Sequence, residues 1–178
     1  MNGLQCIALV GMPGSGKTTV GRHVARHLGL DFLDTDHEIE SHIGGTVRDF
    51  FANHGEDAFR DLESEVVASV TTRPQHVIAT GGGAVLRDVN RRLLRDRCTV
   101  VYLRSMPEEL ARRLRYDAKR PLLQGVDPLQ RLRDLFRQRD PLYRETAHFV
   151  IETGRPSVPT LVNMMLMQLE LAGVVPPR

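Results

Sequence analysis

The octapeptide Gly11-Met12-Pro13-Gly14-Ser15-Gly16-Lys17-Thr18 restricts this chain more than any other stretch. It follows a short apolar run, Cys6-Ile7-Ala8-Leu9-Val10, that reads as a buried strand, and residues 19–28 after it read as a helix. A strand, a glycine-rich turn and a helix in that order are the context a phosphate-binding loop requires. Polyphosphate oxygens must meet several backbone N–H groups at once, and residues without a side chain let the main chain come that close, hence Gly11, Gly14 and Gly16. A helix beginning near Lys17 points its free N–H groups and the positive end of its dipole at the same anion. Lys17 adds a mobile charge for the β- and γ-phosphates, and the Thr18 hydroxyl is placed to ligate Mg²⁺. The nucleotide-contacting set is then Gly14, Ser15, Gly16, Lys17, Thr18 and Thr19. The alternative, an ordinary glycine-rich turn, does not explain Lys and Thr in register.

Apolar strand-like runs alternate with amphipathic helical ones along the rest of the chain. Phe32-Leu33 leads into Asp34-Thr35-Asp36, and helical sequence follows from about 37 to 72, interrupted at Gly44-Gly45 and His54-Gly55. A third strand over 76–80 runs into Gly81-Gly82-Gly83, a helix covers about 87–95, and a fourth strand covers 99–103. Pro107 suits the first turn of the next helix, where its missing N–H costs nothing. Residues 116–126 have no sustained periodicity and read as a mobile loop. A helix from about 127 to 139, a fifth strand over 148–151 and a last helix over 158–171 complete the chain, with Leu161, Met164, Met165, Met167 and Leu171 as its expected packing face. Strands spaced by helices predict an α/β three-layer sandwich: one five-stranded parallel sheet covered on both faces, a P-loop NTPase fold in a single domain spanning 1–178. Ligands bind beyond the carboxyl ends of such strands, so Asp34, Asp36 and the glycine triplet should gather around the phosphate loop.

Composition excludes little but directs the reading. The formal net charge is +2, so no overall field calls for nucleic acid or a membrane as partner. All but two of the 24 basic side chains are arginine, the exceptions being Lys17 and Lys119, and arginine clamps flat anions bidentately. Cys6 and Cys98 have neither metal-ligand nor disulfide-framework spacing and read as buried thiols, which points to a cytoplasmic protein. The N-terminus runs directly into the first strand without a signal peptide, and no apolar run has the length of a membrane span.

Taken together and in order, several marks give the chain a resemblance to the shikimate kinases, small P-loop kinases of the nucleoside monophosphate kinase superfamily. They are the phosphate loop, Phe32 to Asp36, Gly55-Glu56-Asp57-Ala58-Phe59-Arg60 with Glu63, Gly81-Gly82-Gly83, Arg120-Pro121-Leu122-Leu123, and Arg139 with Tyr143. The resemblance runs from Ile7 to about Arg155. It implies transfer of the ATP γ-phosphate to the 3-hydroxyl of shikimate, giving ADP and shikimate 3-phosphate on the route to the aromatic amino acids. It implies a substrate region at about 34–63, a lid at about 116–126 and a monomeric enzyme.

It also assigns roles. Arg60 and Arg139 clamp the carboxylate of shikimate with the main chain at Gly82, and Asp36 orients the attacking hydroxyl and can accept its proton. Asp34 holds the Mg²⁺ shell beside Thr18. Arg120 on the lid brings charge to the transferring group and excludes water, and with Lys17 and Asp36 makes up the catalytic set. Arg155 lies on the adenine side.

The residues alone leave other readings open: Asp36 as a helix N-cap, Arg60 as a solvated partner of Glu56 or Glu63, Arg139 as a helix-end charge near Asp140. At the level of the whole chain, a gluconate or nucleoside monophosphate kinase and a nucleotide-dependent regulatory module are the alternatives. The first does not call for the glycine triplet and this arginine spacing together, and the second does not need Asp36 and Arg139.

Overall fold

The computed structural model describes residues 6–114 and 127–178. Five parallel strands form one sheet in the order β2-β3-β1-β4-β5, with β1 Cys6–Val10, β2 Asp31–Asp34, β3 His76–Ala79, β4 Cys98–Arg104 and β5 Phe149–Glu152. The α/β sandwich predicted from alternating runs is therefore present.

The two-residue period of the strands divides the core in two. Cys6, Ala8 and Val10 of β1 and Cys98, Val100 and Tyr102 of β4 face one layer, while Ile7, Leu9, Val101 and Leu103 face the other. All are buried, because both faces of a parallel sheet are covered, and this is why these strands read as unbroken apolar runs. The first layer is built by α3 Val47–Val70, α4 Asp88–Arg97, α5 Pro107–Leu114 and α6 Pro128–Thr146. The second is built by α1 Lys17–Leu28 and α7 Val158–Leu171. A short helix, α2 Thr35–Ile43, packs beside α3. Cys6 and Cys98 are register partners on adjacent strands, buried and unbridged.

The order of the strands reverses around β1. Its carboxyl end, where the glycine-rich turn begins, is thus the place where this kind of sheet leaves a crevice. Gly55 breaks α3 with φ 85° and ψ 174°, as its sequence position predicts.

Two expectations need correction. α6 does not stop at Arg139 but continues through Pro141 to Thr146. Leu132, Leu135, Arg139, Tyr143 and Thr146 form one buried stripe along it, and packing of that stripe carries the helix across a residue that lacks the N–H. In α7 the buried face is Leu161, Val162, Met165, Leu166 and Leu169, whereas Met164, Met167 and Leu171 lie on the solvent side, Leu171 at 78% exposure.

Candidate active site

The phosphate loop is shaped by its own backbone. Gly16 caps α1 at φ 96°, a left-handed conformation that a side chain disfavours. A Cβ on Gly11 would stand 2.6 Å from the Leu103 carbonyl oxygen, so the loop lies tight over the end of β4. Lys17 donates from Nζ to the carbonyls of Gly11 at 2.7 Å and Met12 at 2.9 Å, holding its charge under the loop. Thr18 donates from its hydroxyl to Asp34 Oδ2 at 2.9 Å. The other oxygen of Asp34 accepts the amides of Asp36 at 2.9 Å and His37 at 3.3 Å. The N-cap of α2 is therefore Asp34, and Asp36 stands in the first turn with its carboxylate released from that duty.

Beyond the carboxyl end of β3 the glycine triplet is wedged among side chains from four directions. A Cβ on Gly81 would meet Asp36 Oδ1 at 2.8 Å and Glu63 Oε2 at 3.2 Å. One on Gly82 would meet the Pro13 ring at 2.8 Å, and one on Gly83 would fall 2.3 Å from a guanidinium nitrogen of Arg60. Three glycines after a buried strand are thus a requirement of close approach. They join the phosphate loop to the candidate acceptor side.

Arg60 pairs with Glu63 at 2.7 Å and with Glu56 at 3.7 Å, so both partners offered by helical spacing are used. Its side chain is nevertheless only 12% exposed, which rules out a solvated surface pair. Arg139 is buried, at 7% exposure, in mid-helix. Its neighbour Asp140 is engaged elsewhere, by Tyr102 at 2.7 Å, Arg104 at 3.1 Å and Arg144 at 3.1 Å. The helix-end reading of Arg139 does not hold. Arg60 Nε, Glu63 Oε2 and Arg139 Nε are all buried without a hydrogen-bond partner among the described residues. Polar atoms rarely stay unsatisfied in a fold unless something else binds them.

The electrostatics mark the same place. Burial, helped by the Asp34 carboxylate, pushes the Asp36 pKa up against the pull of Lys17 and Arg60. Burial raises Glu63 as well, opposed by Arg60 and Arg139. Two carboxyl groups held above their ordinary range beside two arginines are a signature of a functional site.

Residues predicted from the sequence fall into three groups. Gly14, Ser15, Gly16, Lys17, Thr18, Asp34, Asp36, Arg60, Gly82 and Arg139 come together around the ends of β1 and β3, with Thr19 exposed in the first turn of α1. Arg120 and the expected lid lie outside the described residues. Arg155 is exposed and has no hydrogen bond or ion pair among the described residues. Arg113 was missed. It donates to the Gly14 carbonyl at 3.3 Å and to the Thr153 carbonyl at 3.4 Å, and pairs with the buried Glu109. The i,i+4 spacing of Glu109 and Arg113 was legible, but nothing local tied that helix to the phosphate loop. His23, His27, His42 and His54 are exposed, in keeping with the absence of an assigned role.

A phosphate loop at the switch point of a five-stranded parallel sheet, beside two arginines and two carboxylates largely shielded from water, defines a P-loop kinase of the nucleoside monophosphate kinase type. The shikimate kinase family model matches residues 13–170. A shikimate kinase from Paracidovorax citrulli is 59% identical over 174 residues, covering 96% of this chain and 95% of that protein. The solved structure of a shikimate kinase from Acinetobacter baumannii in complex with shikimate is 48% identical, with a TM-score of 0.90 over 96% of this chain and 94% of that one. A gluconokinase from Sinorhizobium meliloti, at 16% identity and a TM-score of 0.59, shares the fold alone. The chain belongs to the shikimate kinase family.

Proposed function

We propose that this protein transfers the γ-phosphoryl group of ATP to the 3-hydroxyl of shikimate, releasing ADP and shikimate 3-phosphate. The observation that carries the proposal is a pair of arginines, Arg60 and the buried Arg139, whose Nε atoms are shielded from water without a hydrogen-bond partner among the described residues and whose charges reach the same Glu63. A small ring bearing one carboxylate and several hydroxyls answers that arrangement. Two guanidinium groups grip the carboxylate, with main-chain N–H groups of the glycine triplet beside them. The Asp36 carboxylate accepts from the attacking hydroxyl and orients it toward the phosphate loop. Phosphoryl transfer has a loose transition state, so placement of the two oxygens contributes more than the basicity of Asp36.

On the nucleotide side, Lys17 and the N–H groups of residues 14–19 receive the phosphates. Thr18 and Asp34 suit Mg²⁺, since both offer hard oxygen donors and stand 2.9 Å apart. No cluster of three or more His, Cys, Asp or Glu among the described residues could hold a metal unaided, which agrees with an ion that takes most of its ligands from phosphate and water. Bound with the nucleotide, such an ion neutralises charge on the phosphate oxygens. The family resemblance adds Arg120 as a further charge on the transferring group and Arg155 as an adenine-side residue. It also favours a monomer in the cytoplasm; the free buried cysteines agree with a reducing compartment, and among the described residues no helix is long and apolar enough to cross a membrane.

The test is release of ADP, coupled to a spectroscopic readout, with shikimate, gluconate and nucleoside monophosphates as acceptors. Mg²⁺-dependent release that requires shikimate and ignores the others is the expected result. Equal turnover with gluconate or a nucleotide overturns the acceptor, and tight binding of shikimate without turnover makes the chain a binding module.

A further inference from the structure

We propose that Tyr143 is a positioning residue for the acceptor carboxylate: its hydroxyl fixes the Gly82 peptide and the α6 turn bearing Arg139 as one rigid cradle. The inference rests on the reading of this site as a shikimate pocket.

Tyr143 is fully buried, one helical turn beyond Arg139 on the stripe that α6 presents inward. Its hydroxyl donates to the Gly82 carbonyl at 2.5 Å, across 61 residues of sequence. Its ring packs against Tyr102 with centroids 4.9 Å apart, which fixes where the hydroxyl can be. The Arg139 guanidinium sits beside that hydroxyl and, with Arg60, opposes the effect of burial, which pushes the phenol up to about 12. At neutral pH the group is therefore a donor. It contacts both halves of the proposed carboxylate site, the arginine and the main chain.

The glycine triplet needs such an anchor. Gly81 N–H donates to Thr35 Oγ1 at 2.9 Å, the Gly81 carbonyl accepts from Ala84 N at 3.0 Å, and the Gly83 carbonyl accepts from Leu86 N at 3.1 Å. The remaining carbonyl, that of Gly82, is held by Tyr143 alone among the described residues. With every carbonyl engaged, the N–H groups of Gly82 and Gly83 are left without a partner among the described residues. Three glycines in a row have no side chains to define their peptide planes, so the tyrosine hydroxyl supplies the constraint that sequence withholds. A loose cradle would cost binding of the carboxylate before it cost the chemistry.

The experiment is steady-state kinetics of Tyr143→Phe beside Tyr102→Phe. Both keep the ring pair. The first removes the hydrogen bond to Gly82, and the second removes a hydroxyl that serves Asp140 on the same helix. The expected result is a rise of about tenfold in the KM for shikimate in Tyr143→Phe, with kcat and the KM for ATP within about twofold. Tyr102→Phe should leave the shikimate KM within about twofold, whatever its melting temperature. An unchanged shikimate KM in Tyr143→Phe overturns the proposal. So does an equal rise in Tyr102→Phe, which would make the effect one of helix stability. Failure of the wild-type protein to phosphorylate shikimate would sink the underlying reading instead, and is seen separately.

Discussion

In its proposed role, Asp36 would serve the site against the interest of the fold. Burial and the Asp34 carboxylate raise its pKa above the ordinary 3.8, so the ionised form, the one proposed to orient the acceptor hydroxyl, is the form the fold disfavours. The folded state then holds more protons than the unfolded chain between pH 3.8 and the higher folded value. The contribution of Asp36 to stability is full below that window and is lost as pH rises through it. Asp36→Asn should therefore melt about 2–4 °C higher than wild type at pH 7 while kcat falls about a hundredfold. Calorimetry and turnover on the same preparation check both halves; a lower melting temperature with kcat intact would remove the conflict and the role together. Gly83 makes the complementary case. An added methyl lands on the Arg60 guanidinium, so Gly83→Ala should raise the shikimate KM about tenfold and leave the KM for ATP alone, as measured by varying each substrate at saturation of the other.

The helices show what a sequence can and cannot announce. β1, the phosphate loop and α1 were legible because periodicity, glycine positions and the Lys-Thr pair are local. The break at Gly55 and the pairing of Arg60 with Glu63 were legible for the same reason. The continuation of α6 past Pro141 was not, since its cause is a buried stripe that ends in Tyr143 and Thr146, and packing outranks the local signal of proline. The solvent-facing Met164 and Met167 were hidden too, because a helix apolar on more than one side does not say which side meets the sheet. Arg113 needed tertiary contact to be seen, as its link to Gly14 spans 99 residues. Element stability is testable at the start of α3, in the segment that precedes the break at Gly55. Thr46 caps it by accepting from Asp49 N at 3.1 Å, so Thr46→Ala should cost about 1 kcal/mol in chemical denaturation. No loss there would mean that tertiary packing alone holds the helix.

For the molecule as a whole, the sheet does two jobs with its two ends: the carboxyl end of β1 and β3 gathers the site, and the rest ties the layers together. His148 is part of that tie. Its Nδ1 accepts from Val100 N at 2.9 Å while the main-chain N–H of His148 donates to the Val100 carbonyl at 2.8 Å, tying the start of β5 to β4. Burial and Arg95 lower its pKa from the usual 6.5, so the neutral ring is favoured in the fold. Stability from this group is present above pH 6.5 and is lost as pH falls through the depressed folded value. Denaturation of wild type against His148→Gln across pH 5–8 should show a gap that is flat above about pH 6.5 and changes as pH falls below it. At the other end of the sheet, Arg60 and Arg139 are proposed to choose the acceptor by its carboxylate. The decisive comparison is kcat/KM for shikimate against that for its methyl ester, in wild type and in Arg139→Ala. The expected result is a preference for the acid of about a hundredfold in wild type that falls to less than about tenfold in the variant. A wild-type protein that uses the ester as well as the acid would contradict it.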